Sequence, residues 1–254
     1  MLSGYELTLA GLVAIAAGMI NALAGGGTLI SFPTLVALGV PEVAANITNT
    51  VALCPGYLGG SLAQRKDLRG QERRLWLLIP VGIIGGILGG MLLLLVSDQV
   101  FRVLVPFLIL FASLLLAIQD RARDWIIRHA GQEMPNDGVK KALVPIGLTA
   151  VYGGYFGAGQ SVIILSVLGL FVKDTLTRLN ALKQCITLGS NVAAAVFFLF
   201  SGMIVWPVAL VMAVGALVGG AAGGKIAGRI NPDLLRWTVV IIGVSIGILL
   251  LVQL

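Results

Sequence analysis

The stretch NALAGGGTLISFPTLVALGVPEVAANITNT, Asn21 to Thr50, puts three glycines inside one apolar run and two asparagines and a threonine inside the next. Glycine costs about 1 kcal/mol relative to alanine in a helix interior. Gly25, Gly26 and Gly27 therefore read as a helix break. The apolar run before it, 5–24, is long enough to cross a bilayer, which takes roughly 20 residues. The run after it, 28–40, is too short. Short segments next to glycine interruptions read as re-entrant or broken membrane helices.

The rest of the chain has the same character. It is 58% hydrophobic and 11% charged, with a mean hydropathy of +1.01. Soluble domains carry about 25% charged residues, so too little polar surface exists here to cover a soluble core. The runs do not alternate as β-barrel strands of about 10 residues would. The expected fold class is an all-α polytopic membrane protein. Ten runs are readable: 5–24, 28–40, 43–63, 75–96, 100–119, 142–157, 160–172, 175–201, 206–228 and 234–252. That gives about eight spanning helices plus two short or re-entrant segments at 28–40 and 160–172. The first run has Glu6 near its start and no basic leader region, so it reads as a retained membrane segment.

Basic residues orient the runs. QRKDLRGQERR at 64–74 and the linker 120–141 are both rich in Arg and Lys and read as cytoplasmic. Counting onward puts Lys173, Arg178, Lys225, Arg229 and Arg236 on the same side, fifteen of the seventeen bases in all. Only Arg102 falls outside, and Lys183 lies within a run. The net charge of +6 is then a topology signal, and no nucleic-acid partner is expected. Both termini read as periplasmic or extracellular. The linker, with Trp125, Ile126 and Ile127, reads as an interfacial helix ending near Pro135; His129 within it is assigned no role.

The two halves resemble one another. Aligning Asn46 with Asn180 places Asn49 on Lys183, Thr50 on Gln184 and Tyr57 on Asn191. Gly25 and Gly27 match Gly157 and Gly159. Residues 1–119 form a first membrane repeat, 120–141 a cytoplasmic linker, and 142–254 a second. By the charge count the second starts on the opposite side from the first. Inverted repeats with paired broken helices characterise secondary transporters, whose substrate sits near the midplane. The glycine-rich stretches GIIGGILGG (82–90) and GALVGGAAGG (215–224) read as close helix packing. Pro55 and its repeat partner Gly189 read as a pair of hinges.

Residues three and four apart share a helix face. Asn46, Asn49 and Thr50 form one polar patch. Asn180, Lys183, Gln184, Thr187 and Asn191 form another. Lys183 has no carboxylate nearby in its run. An ammonium among amides and hydroxyls suits an anion, as do helix N-termini following glycine breaks. The expected substrate-binding residues are thus Asn46, Asn49, Thr50, Asn180, Lys183, Gln184, Asn191 and Gln160, with Gly26, Gly27, Gly157 and Gly159 letting a ligand approach the backbone. The two patches are expected to be the walls of one site. No cofactor or metal is implied, and Cys54 and Cys185 read as buried small side chains.

NALAGGGTLISFPTLVALGVP, AANITNTVAL, GGYFGAGQSVIILSVLGL and LNALKQCITLGSNVAAAVFFLFSG together resemble the TauE/SafE family of membrane permeases, the sulfite exporter family. The resemblance covers almost the whole chain. It implies an inner-membrane carrier of small sulfur-containing or organic anions such as sulfite or sulfonates. It points to Asn46, Asn49, Asn180 and Lys183 as site residues. Ala158 stands where the first half has the middle glycine of its triplet, so the glycines do not match one for one.

The leading reading is a secondary anion transporter working by alternating access. An anion channel or uncoupled uniporter of the same fold is the alternative within transport; no membrane carboxylate stands ready to relay a proton. An enzyme would need a nucleophile–base pair or metal ligands, and the single histidine lies in a loop. A non-transporting scaffold would not need paired polar stripes. Beyond the anion and the bilayer, a coupling proton or cation and a second copy of the chain in a homodimer are the partners this reading admits.

Overall fold

A computed structural model of the chain describes residues 3–23, 25–119, 121, 124, 128, 138–226 and 232–253. Among these, every regular element is helical: α1 (Gly4–Leu23), α2 (Thr28–Ala37), α3 (Glu42–Ala63), a 3-10 turn (Arg65–Leu68), α4 (Glu72–Leu95), α5 (Asp98–Ala117), α6 (Gly138–Tyr155), α7 (Gln160–Phe171), α8 (Leu176–Phe198), α9 (Trp206–Ile226) and α10 (Pro232–Val252). The protein is an all-α polytopic membrane protein. Five helices, α1, α4, α5, α8 and α9, meet both the length and the apolarity needed to cross a bilayer. The order long, short, long, long, long occurs twice. α6 begins at Gly138, inside the expected linker, because Val139 already packs with Leu78, Ala142 and Ile146. Most of the expected interfacial helix, with Trp125, Ile126, Ile127, His129 and Pro135, lies outside the described residues, as does Arg229.

Helix direction follows from which glycines meet which backbones. A Cβ on Gly219 would run into Ile15, and one on Gly223 into Met19, so α1 and α9 run parallel. Gly56 abuts Ala216 and Gly224 abuts Ala63, so α3 runs parallel to both. The same logic groups α4, α6 and α8: Gly82 meets Ile186, Gly86 meets Ser190, and Gly89 meets Val151 and Tyr155. The two groups oppose each other, since at the α3–α8 crossing Gly60 faces Gln184 and Gln64 bonds Asn180. The second set of five helices is therefore inverted relative to the first. Each set lends its fourth helix to the other: α4 packs on α6 and α8, and α9 packs on α1 and α3.

Lipid tails are as apolar as leucine side chains, so helix association in a bilayer relies on close packing, and small residues permit it. The GIIGGILGG and GALVGGAAGG stretches do this on α4 and α9. Gly189 likewise sits against Ile79 and Ile83, and α3 stays helical through Pro55.

The short helices fold back. α2 is about 15 Å long and α7 about 18 Å, against a hydrocarbon thickness near 30 Å. Gly138, where α6 starts, abuts the carbonyl of Phe171, where α7 ends. α6 and α7 thus enter and return on one face, the face carrying the 64–71 connection. α1 and α2 form the matching hairpin from the opposite face, where Arg102 pairs with Glu42 at 3.0 Å. α5 and α10 pair antiparallel, with Ser113 on Gly243 and Leu110 on Gly247, and α5 covers both breaks: Leu116 lies on Gly26, and Ala112 on Gly159.

At the basic face, Asp174 pairs with Arg74 and, at 2.8 Å, with Arg178. Burial pushes its carboxyl up, but the two guanidinium groups and the Thr175 amide outweigh this and hold it below the usual aspartate range. Gln71 donates to the Arg178 carbonyl at 3.1 Å, and Arg178 donates to that of Arg69 at 3.0 Å. The α3–α4 connection is thereby fastened to the start of α8.

Gly220→Val should disrupt the α3–α9 contact, because its Cβ would enter the Gly56 backbone. The expected outcome is loss of a monodisperse peak on size-exclusion chromatography in detergent. Gly4→Ala, with nothing within 4 Å of the added carbon, should elute as the parent does.

Candidate functional site

The polar stripe of α3 is fully packed. Asn46, Asn49 and Thr50 are all buried. The Thr50 hydroxyl donates back to the Asn46 carbonyl at 2.9 Å. Asn46 Nδ2 donates to the carbonyl of Tyr155, the last residue of α6, at 2.8 Å. The Oδ1 atoms of Asn46 and Asn49 are buried with no hydrogen-bond partner.

The α8 stripe is arranged similarly. Half-buried Asn180 donates to Gln64 Oε1 at 2.9 Å. Gln184 Nε2 reaches the Ala22 carbonyl at 3.4 Å, and its Oε1 has no partner, nor does the Thr187 hydroxyl. Lys183 is 1% exposed. Among the described residues no carboxylate pairs with it. Asp174, which stands earlier in the sequence, is taken by Arg74 and Arg178.

The NITNT and NALKQ patches do not face one another across the α3–α8 contact. Gly60 is the α3 residue level with Gln184, and Asn46 stands fourteen positions earlier. At 1.5 Å per residue that is about 21 Å along the helix. The NITNT patch lies toward one face and the NALKQ patch toward the other. Antiparallel crossing of α3 and α8 causes this, because equivalent positions in inverted repeats move to opposite ends. The breaks lie between them: Gly25 packs on Ser161, and the Tyr57 hydroxyl interacts with the Ser161 side chain.

Each break holds two glycines in left-handed conformations, Gly25 and Gly26 with φ of 84° and 90°, and Gly157 and Gly159 with φ of 81° and 77°. L-residues other than glycine rarely adopt these values. Each break is stitched by a hydrogen bond between positions six apart. Asn21 Oδ1 accepts from the Gly27 amide at 2.7 Å, filling one of the orphan donors of a helix start. In the second break the Tyr152 hydroxyl donates to the Ala158 carbonyl at 2.7 Å. At the position matching Asn21 stands Gly153, and the space above it is filled by the Gln160 carboxamide. That carboxamide is used at both ends, donating to Ser190 Oγ at 3.1 Å and accepting from Asn191 Nδ2 at 3.2 Å. Asn191 also donates to the Thr187 carbonyl at 2.9 Å. Gln160 and Asn191 therefore lock α7 to α8, while Gly26, Gly27, Gly157 and Gly159 shape the two turns.

Asn21, Tyr152, Ser190 and Gln64 are absent from the residues expected to form the site. The signal for the first was available: Asn21 is an isolated amide in an apolar run, six residues before the last glycine of the triplet. Ser190 and Gln64 meet their partners, Gln160 and Asn180, only through folding. Among the described residues no group of three His, Cys, Asp or Glu is placed to hold a metal ion.

A family model described as sulfite exporter TauE/SafE matches residues 10–250. The chain belongs to the TauE/SafE family. Its similarity to curated relatives runs over most of their length. A probable membrane transporter protein of Haemophilus influenzae is 28% identical over 90% of this chain and 88% of its own. The probable membrane transporter protein ORF9 of a Sinorhizobium species is 27% identical over 94% and 89%. The probable membrane transporter protein YfcA of Escherichia coli K12 is 25% identical over 91% and 84%. This TauE/SafE chain is thus a membrane transporter, and the buried polar groups around its breaks are the candidate path for what it carries.

The Gly153–Gln160 contact provides a check on the second break. Gly153→Ala should lower thermal stability in detergent, because the new carbon collides with the Gln160 carboxamide. Gln160→Ala alone should cost about 1–3 kcal/mol by unpairing Ser190 and Asn191. The double variant should be less destabilised than the sum of the two, as measured in a double-mutant cycle.

Proposed function

We propose that this TauE/SafE transporter is a secondary carrier of small anions in the inner membrane, with sulfite, sulfonates and related organosulfur anions as the substrate class. The single observation that carries the anion reading is Lys183. It is a buried ammonium in a spanning helix, and no buried Asp or Glu occurs among the described residues. An isolated charge in a low-dielectric interior is costly, and ionisable groups within membrane segments normally face a partner or a pathway. A mobile anion supplies the missing countercharge. The hydroxyl of Thr187, one turn further along the same helix, is a buried donor without a partner. It would add a hydrogen bond to an oxyanion.

Oppositely directed halves support alternating access around the two breaks, with the α1–α3–α9 and α4–α6–α8 groups as the moving bodies. The positive-inside rule makes the face of the 64–71 connection cytoplasmic. The family's sulfite name and the Lys183 and Thr187 donors support the substrate class. The coupling proton or cation is addressed by the same experiment.

The test is uptake of labelled sulfite into proteoliposomes, with and without a pH gradient. Lys183→Met should raise the half-saturating sulfite concentration roughly 10- to 100-fold, the equivalent of one or two charge-assisted hydrogen bonds. Lys183→Arg should retain part of the uptake. Unchanged uptake by Lys183→Met would remove the lysine from the substrate path.

A further inference from the structure

Each break is held from the opposite half of the protein. Tyr155 ends α6, and Ala22 is the next-to-last residue of α1. Both carbonyls are therefore among those that a helix C-terminus leaves without intrahelical donors. Asn46, on α3, gives its amide to Tyr155. Gln184, on α8, gives its amide to Ala22. The first bond runs from the α1–α3–α9 group to the α4–α6–α8 group, and the second runs the other way. In the repeat alignment, Asn46 matches Asn180, one helical turn from Gln184. The bonds lie toward opposite ends of α3: Asn46 is near its start, and Gln184 is level with Gly60 in its last turn.

The two bonds are unequal. Asn46 to Tyr155 is 2.8 Å, a well-formed hydrogen bond. Gln184 to Ala22 is 3.4 Å, beyond the usual range for N–H···O. Gln184 is also less fully bonded: its Oε1 is unpaired, and its carboxamide fits against Gly60, where a Cβ would come within 2.9 Å of its Nε2. If the two groups tilt against one another along α3, the bond at one end shortens as the bond at the other lengthens.

We propose that Asn46 and Gln184 are reciprocal latches of the transport cycle, each clasping the break of the opposite repeat. The Asn46 latch is engaged in this structure and the Gln184 latch is slack. Engagement of Asn46 closes the face on which α3 begins. Engagement of Gln184 closes the basic face. Both residues act by positioning the breaks rather than by holding the anion. This inference rests on the alternating-access reading above.

The experiment uses the full chain with Cys54→Ala and Cys185→Ala, and with Ser161→Cys as a reporter beside Gly25. A membrane-impermeant methanethiosulfonate reagent is applied to one face at a time in oriented vesicles. Asn46→Ala should raise the labelling rate from the face where α3 begins by about five- to tenfold, the shift that one net hydrogen bond is worth. From the basic face the rate should stay near the parent's. Gln184→Ala should show its larger increase from the basic face, and a smaller one, because its latch is slack. Parent rates from both faces, or equal increases from both faces in both variants, would overturn the proposal. Should Asn46→Ala fail to assemble, Asn46→Asp, which lacks the donor, is compared with Asn46→Gln, which keeps it. Faster labelling of the aspartate variant alone supports the latch, and equal labelling of the two overturns it. The readout requires no substrate, so failure of the latch is distinguishable from failure of the anion reading.

Discussion

Inside a bilayer a broken helix exposes backbone groups that no water can reach, and every one of them needs a partner from the protein. The two glycine breaks impose that demand, and much of the polar chemistry of this chain answers it. Asn21 takes the Gly27 amide, and Tyr152 takes the Ala158 carbonyl. Asn46 and Gln184 reach across from the opposite half to Tyr155 and Ala22. α5 covers both turns with Leu116, Ala112 and Leu115. A polar residue in a greasy helix need not be a ligand contact; several here are ligands of the backbone.

Interlocking of the halves follows from the same scarcity of driving force. Apolar surface gains little by leaving lipid for protein, so the helices that associate best are those whose backbones can touch. α4 and α9 carry the densest glycine patterns, and each lies in the groove between the first and third helices of the other half. An exchanged helix makes the halves inseparable while leaving their mutual crossing at α3 and α8 comparatively lightly packed. Motion between two such groups would act along α3 and α8, the helices that carry both latches and both polar stripes.

Charge is distributed with equal economy. The basic face gathers Arg74, Arg178 and Asp174 into one partly buried cluster that secures the α3–α4 connection. That cluster removes the acidic side chain nearest Lys183 in sequence. Lys183 is left with hydroxyl and amide neighbours on its own helix, the arrangement on which the proposed anion reading rests.

Much of this was legible in the amino-acid sequence. Apolar run length announced the helices, and the glycine triplet and its counterpart announced the two breaks, because glycine carries a backbone signature independent of its surroundings. Basic residues gave the direction of the runs, and matching asparagines revealed the repeat. The sequence could also name Lys183 as an unusual cation, since no acid stands nearby in its own run. It could not say that the NITNT and NALKQ patches lie about 21 Å apart, because distance across an antiparallel crossing depends on which residues meet there, and Gly60 meets Gln184 only once folded. Nor could it show that the Gln160 and Asn191 amides are spent on each other and on Ser190. A side chain's type records what bonds it can make, whereas tertiary structure alone decides which of those bonds are already taken.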